Sequence, residues 1–232
     1  DRIISIAVTD GANNSNPASS TIRVVTADDA PVVDPDANHS YGNKFVTSYT
    51  ENGAGIAIVD VDVKISDVDS TTLHSATIQI TNIHTGDRLS VSGLPAGLSV
   101  SEYDPINGVL IISGTASLSV YEDALKSLKF LSTSENPAEI QRDITISVND
   151  GHSSSVLSHS YVNVVAVNDV PTNSATISAS TVEDAPAITL NLLANSSDVD
   201  GDSLSVSSVT YTVDGVATAN NGTSLPTGVT LS

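Results

Sequence analysis

Residues 142–171 read RDITISVNDG HSSSVLSHSY VNVVAVNDVP, and residues 2–31 read RIISIAVTDG ANNSNPASST IRVVTADDAP. Asp10 falls on Asp150, Asp29 on Asp169 and Pro31 on Pro171, each at a separation of 140 residues. A second block agrees at a slightly shorter spacing. Glu51, Asp67-Val68-Asp69 and Leu94-Pro95-Ala96-Gly97 recur as Glu183, Asp198-Val199-Asp200 and Leu225-Pro226-Thr227-Gly228, 131 or 132 residues on. Self-similarity at a fixed period marks a tandem array, and this period is about one domain long. The expected organisation is one complete unit over 31–170. Before it stand the C-terminal strands of a preceding unit (1–30), and after it the N-terminal part of a following one (171–232). The chain reads as a piece of a longer polypeptide, with incomplete units at both ends that are less stable alone than the central one.

Within the repeated stretch apolar and polar residues alternate. Ile144, Ile146 and Val148 are separated by Thr145 and Ser147, and Ile4, Ile6 and Val8 by Ser5 and Ala7. A period of two places one residue set on each face of a strand. Thr77–Ile80 and Val109–Ile112 read the same way. Asn107-Gly108 and Asp214-Gly215 lie between apolar runs as hairpin turns. Short strands broken by turn residues predict an all-β sandwich. One segment departs from this. In 119–128, Val120, Ala124, Leu125 and Leu128 share a helical face, and Ser119 with Glu122 resembles a capping box. A short inserted helix is expected there, before a strand at Leu128–Leu131.

Composition narrows the function. The chain holds 27 acidic and 8 basic residues, a net charge of −19. Nucleic acid is disfavoured as a partner, because binding it needs clustered Lys and Arg. Aromatic residues make up only 3%, which weakens a stacking platform for sugars. With no Cys there is no disulfide framework, and the apolar runs are too short for membrane insertion of this segment.

The recurring residues are carboxylates and turn formers. Calcium takes several oxygen ligands from Asp, Glu, Asn and carbonyl groups, so a site needs acids converging from separate loops. Strand direction decides which acids meet. A strand of about nine residues spans roughly 30 Å, which puts Asp150 and Asp169 at opposite poles of one unit. The strand course between Glu51 and Asp67 separates those two in the same way. Two junction clusters result. Asp28 and Asp29 meet Asp67, Asp69 and Asp150 at the first. Glu51, Asn168 and Asp169 meet Asp198, Asp200 and Asp202 at the second, where Glu122 or Asp123 is a further candidate. The plainer reading of Glu122 and Asp123 is a solvated helical turn. Any single Asp here also suits a turn that needs no metal. Recurrence in register favours Ca2+ as the cofactor.

The order of these motifs resembles a cadherin repeat: a Glu-Asn pair, Asp-x-Asp, an Asp-Gly turn, then Asn-Asp-x-Pro in the linker. The wording Tyr49-Thr50-Glu51-Asn52-Gly53, Gly114-Thr115-Ala116-Ser117-Leu118, Val148-Asn149-Asp150-Gly151 and Val167-Asn168-Asp169-Val170-Pro171 is similar to bacterial cadherin-like repeats of large secreted adhesins. That resemblance implies tandem cadherin-like, Ig-like Greek-key β-sandwiches stiffened by calcium, exported by a type I system, outside the cell or on its surface. It implies neighbouring repeats of the same chain as partners, with a cell-surface, matrix or self-association partner beyond them, and no catalysis. The sequence departs from the animal pattern in its longer repeat, its inserted helix, and Asn136-Pro137-Ala138-Glu139 where an acidic motif is expected. The first linker also reads Ala27-Asp28-Asp29.

Other motifs weigh less. Asp198–Asp202 looks like the start of an EF-hand loop, but the twelfth position is Val209, not an acid. The five His residues lack metal-ligand spacing, and no Gly-x-Ser-x-Gly elbow occurs. The alternatives kept open are a protein- or glycan-binding module and noncatalytic repeats of a secreted hydrolase.

Overall fold

The computed structural model describes residues 1–38, 44–182, 184–213 and 216–220. Glu183, the Asp214-Gly215 turn and Leu225-Pro226-Thr227-Gly228, singled out above, lie outside the described residues. The protein is all-β with one short helix. In chain order the elements are β1 (Arg2–Ile6), β2 (Ala18–Ile22), β3 (Val32–Asp34), β4 (Lys44–Thr50), β5 (Ile56–Ala57), β6 (Lys64–Ser66), β7 (Thr72–Ile80), β8 (Asp87–Val91), β9 (Ser99–Val100) and β10 (Val109–Ser117). Then follow α1 (Leu118–Lys126), β11 (Leu128–Ser132), β12 (Arg142–Asn149), β13 (Ser158–Val165), β14 (Thr172–Asn173), β15 (Ser196–Ser197), β16 (Val209–Val213) and β17 (Val216–Asn220).

Six strands form one sheet in the order β4-β13-β12-β7-β10-β9, and three form another in the order β5-β11-β8. The alternation read from the sequence decides which faces meet. Ile144, Ile146 and Val148 of β12 point inward, as do Leu73, Ala76 and Ile78 of β7, and all are buried. Leu89 of β8 with Leu128 and Phe130 of β11 cover them from the second sheet. Tyr49 meets Phe130 edge to face at 5.5 Å, an arrangement that adds about 1 kcal/mol beyond its burial. Its hydroxyl donates to the Ser132 carbonyl at 2.9 Å, so the polar tip is not stranded. β13 runs parallel to β4, while every other pairing in this sheet is antiparallel. The parallel pair brings the ends of β4 and β13 to the same pole.

The helix differs in detail from its expected form. It starts at Leu118, and its N-cap is Ser117, whose Oγ accepts from the Val120 amide. Ser119 and Glu122 therefore lie within the helix and form no capping box. Tyr121, not Val120, fills the core beside Ala124 and Leu125, and Leu128 belongs to β11.

One buried ion pair has no counterpart in the sequence reading. Arg142, at the start of β12, is wholly buried. Its Nε donates to Asp87 Oδ2 at 2.5 Å and its Nη2 to Asp87 Oδ1 at 3.3 Å. Its Nη1 donates to the carbonyls of Ala138 and Ile140. Removing one partner of such a pair strands a buried charge, a cost of about 3–5 kcal/mol.

The hairpin β1–β2 shares its register with β12–β13. Arg2 faces Ile22 as Arg142 faces Val162, and Ile6 faces Ala18 as Ile146 faces Ser158. Burial differs. Ile4 and Ile6 are 46% and 52% exposed, whereas Ile144 and Ile146 are both at 0%.

At Asn107-Gly108 the chain does turn, in a longer loop that closes between Asp104 and Val109. Asp104 Oδ1 accepts from the amides of Ile106 and Asn107, and only the glycine has positive φ, +69°. A Cβ there would stand 2.6 Å from the Ile80 carbonyl oxygen. Gly108→Ala is therefore expected to destabilise the fold by about 2 kcal/mol, the sum of positive-φ strain and the clash. Urea unfolding measures it, and an unchanged midpoint would show that the loop absorbs the side chain.

Candidate functional site

Asp150 follows β12 and is buried. Its Oδ1 accepts from the amides of His152 and Ser153, both at 2.8 Å. These bonds favour the charged form and hold the carboxyl below its ordinary value. The carboxylate of Asp10 makes the same turn, accepting from Ala12 and Asn13, and is lowered for the same reason. Asp67, after β6, uses Oδ1 for the amides of Asp69 and Ser70. Asp198, after β15, uses Oδ1 for those of Asp200 and Asp202.

Each turn spends one oxygen on the backbone, and carboxylates of the Asp67, Asp150 and Asp198 loops gather with linker residues at two places. At the first, the Asp29 amide donates to Asp69 Oδ2 at 3.3 Å, and Ser70 Oγ donates to Asp150 Oδ2 at 3.2 Å. Ser153 Oγ bonds Asp28 Oδ2. Ligand atoms of Asp28, Asp150 and His152 lie within 4.8 Å of one another. Asp67 Oδ2 is buried beside this group with no hydrogen-bond partner.

The second place is built in the same way. The Asp169 amide donates to Asp200 Oδ2 at 2.7 Å, matching the bond from Asp29 to Asp69. Glu51, at the end of β4, is buried, and its Oε2 accepts from the Val167 amide at 2.8 Å. Its Oε1 is buried with no hydrogen-bond partner, as is Asp169 Oδ2. Carboxylate oxygens of Glu51, Asp169 and Glu135 lie within 4.8 Å of one another.

Several residues sit differently from expectation. Asn168 is exposed, and its Nδ2 donates to the Asp169 carbonyl. Asp202 is exposed, and its amide closes the Asp198 turn. Glu122 is not at the second cluster. Its Oε1 accepts from the Ile65 amide and pairs with Lys64 Nζ, each at 2.9 Å, tying α1 to β6. Asp123 pairs with Lys126 one helical turn on.

Glu135 was not foreseen. It precedes Asn136-Pro137-Ala138-Glu139, the segment that looked devoid of the acidic motif, and the Asn52 side chain donates to it at 3.1 Å. Asn52 takes positive φ, +59°. Glu139 instead accepts from the Ala166 amide at 3.1 Å. A third carboxylate group, Asp36 with Asp60 and Asp62, lies past the Asp34–Lys64 end of the β3–β6 pair.

These donor sets fit a hard divalent cation. They are mostly carboxylate oxygens, drawn from separate loops, and two buried oxygens at the second place lack any hydrogen to accept. Crowding shows in the acidities. Lost hydration raises the Asp169 carboxyl above its ordinary value, and the charges of Asp200, Glu135 and Asp198 add to this. Asp69 is raised by lost hydration first, then by Asp67 and Asp28, against the opposing bond from the Asp29 amide.

Residues 167–227 match the model of the cadherin-like domain. No curated protein matches the chain. Cadherin-like domains commonly bind Ca2+ and are generally non-catalytic adhesion modules, and the match points to an extracellular setting. Among the described residues, no helix is long and apolar enough to cross a membrane.

A carboxyl raised in the assembled state is better protonated there than when the loops part. Its contribution favours assembly below its ordinary value and is lost as pH rises through the raised one. Without calcium, Asp69 and Asp169 are therefore expected to titrate above 3.8, and with calcium below it. Carboxyl-detected NMR measures both. Midpoints at or below the ordinary value in chelator would contradict the crowding.

Proposed function

We propose that this chain is a calcium-stiffened spacer segment of an extracellular adhesive protein, and that its two carboxylate clusters are junctions between tandem β-sandwiches. In this reading residues 31–170 form one complete sandwich. Residues 1–30 contribute the last strands of the unit before it, and residues 171–232 begin the unit after it. The observation that carries the reading is Glu51: 4% exposed, one oxygen without a partner, facing the carboxylates of Glu135 and Asp169. A buried carboxylate in that position is costly unless a cation joins it. The recurrence of the same bond at both places, from Asp29 to Asp69 and from Asp169 to Asp200, supports a shared purpose.

Bound calcium supplies positive charge and takes the free carboxylate oxygens as ligands. The chain's own residues do the rest. Asp67, Asp150 and Asp198 fix their loops through backbone bonds, and the linker residues Asp28, Asp29, Asn168 and Asp169 stand between the loops of successive units. Small interfaces between domains leave hinge motion as the default. Removing the repulsion among the carboxylates converts each hinge into a strut, and binding free energy becomes stability of the joined state. Calcium is plentiful outside cells, so the stiff form belongs there. The wider setting follows the same reading: repeats of a large secreted, bacterial adhesin, holding a distal binding region away from the cell.

Calcium is expected to raise the melting temperature and to give a longer, stiffer particle by small-angle scattering. Asp69→Asn and Asp169→Asn should each weaken calcium binding about ten-fold. A particle whose dimensions and melting temperature are the same in calcium and in chelator would sink the proposal.

A further inference from the structure

We propose that Arg142, held by Asp87, is a positioning residue for the second cation site, acting through the loop that carries Glu135. The inference rests on the cation reading of that site. Between β11 and β12 the chain runs through residues 133–141 without a strand or a helix. This loop delivers Glu135 to Glu51 and Asp169, and the Asn136 side chain donates to the Val199 carbonyl at 3.0 Å. Both partners lie across the junction or at its edge, so the loop must keep its place without a sheet to hold it.

Arg142 supplies that hold. It is the bulkiest fully buried side chain among the described residues. Two of its guanidinium nitrogens are fixed by Asp87, and Nη1 reaches the carbonyls of Ala138 and Ile140 within the loop. Asp87 Oδ2 also accepts from the His84 amide at 2.8 Å, so the anchor is itself fixed to the β7–β8 turn. The same turn grips the other end of the loop, where the Thr133 amide donates to the Gly86 carbonyl at 2.9 Å. The buried pair therefore holds the C-terminal end of the segment bearing Glu135, and the backbone of the adjoining turn holds the N-terminal end. A planar, forked guanidinium reaches the carboxylate and the carbonyls together, which a lysine ammonium does not.

A purely structural Arg142 would affect both cation sites alike, because the pair lies in the core they share. A positioning Arg142 affects only the second. The test is a residue-resolved NMR titration of the whole 232-residue chain with calcium, comparing it with Arg142→Lys. The amides of Asn136 and Asp169 report the second site, and those of Asp29 and Ser153 the first. Hydrogen exchange at Ala166, measured in chelator, reports the loop without any cation. The expected result is about ten-fold weaker calcium binding at the second site, an unchanged first site, and faster exchange at Ala166. Unchanged affinity at the second site, or equal losses at both, overturns the inference while leaving the cation reading intact. Wild-type amides of residues 168–169 that do not respond to calcium overturn the cation reading and this inference with it. Should Arg142→Lys not fold, Ala138→Gly loosens the loop without touching the buried pair. It is expected to weaken the second site alone by about three-fold, and no weakening there overturns the inference.

Discussion

A carboxylate oxygen taken out of water needs either a hydrogen to accept or a cation to bind. Asp67, Asp150 and Asp198 meet that demand halfway. In each, Oδ1 accepts from two backbone amides of its own turn, while Asp150 Oδ2 accepts from Ser70 Oγ and Asp67 Oδ2 is buried without a partner. Turn formation thus uses one oxygen of the side chain and leaves the other available to a cation. The turn fixes where the second oxygen points, and the repetition of the turn fixes where the clusters form. Glu51 divides its carboxylate the same way, with Oε2 on the Val167 amide and Oε1 unpartnered.

The sandwich matters to these sites because it sets which loop ends coincide. β4 lies parallel to β13, and the Glu51 amide donates to the Val165 carbonyl at 2.9 Å, so Glu51 reaches the linker just as the last strand leaves the sheet. β12 lies antiparallel to both β7 and β13, which returns Asp150 to the pole where β7 begins, beside Ser70. Both clusters are consequences of strand direction. The core that holds those directions is mostly apolar, and the Arg142–Asp87 ion pair buried in it sits beside the loop feeding the second cluster.

Sequence pattern revealed the parts of this arrangement that depend on local chemistry. The alternation at Ile144, Ile146 and Val148, the Asp150 turn, the helix near residue 120 and the meeting of Glu51 with Asp169 all follow from period, turn preference and strand length. The features it did not reveal are contacts between distant segments. Glu135 carries no motif, and its loop meets the Gly86 turn and Arg142, both distant in sequence. Arg142 looks like a strand-edge charge until Asp87, 55 residues earlier, is seen beneath it. Glu122 suits a solvated turn or a ligand by sequence and is neither, because the Ile65 amide and Lys64 of β6 lie within its reach. Asp36 shares a group with Asp60 and Asp62 through the short β3–β6 pair and the bond from the Asp60 amide to the Pro35 carbonyl.

The two hairpins separate what a strand owes to its own residues from what it owes to its surroundings. β1–β2 and β12–β13 have matching patterns, matching registers and matching Asp turns, yet one set of isoleucines is exposed and the other is buried. β12 has β7 on one side and β13 on the other, with the second sheet above it, whereas among the described residues β1 pairs only with β2. A two-stranded hairpin is marginal by itself in water, because ordering its backbone costs about as much as its few contacts return. Alternation and turn chemistry therefore determine the strand, its partner and its register, while burial comes from strands far away in sequence. The same division holds at the carboxylate clusters. Each Asp turn forms from its own loop, but two loops and a linker must meet before its free oxygen has anything to share.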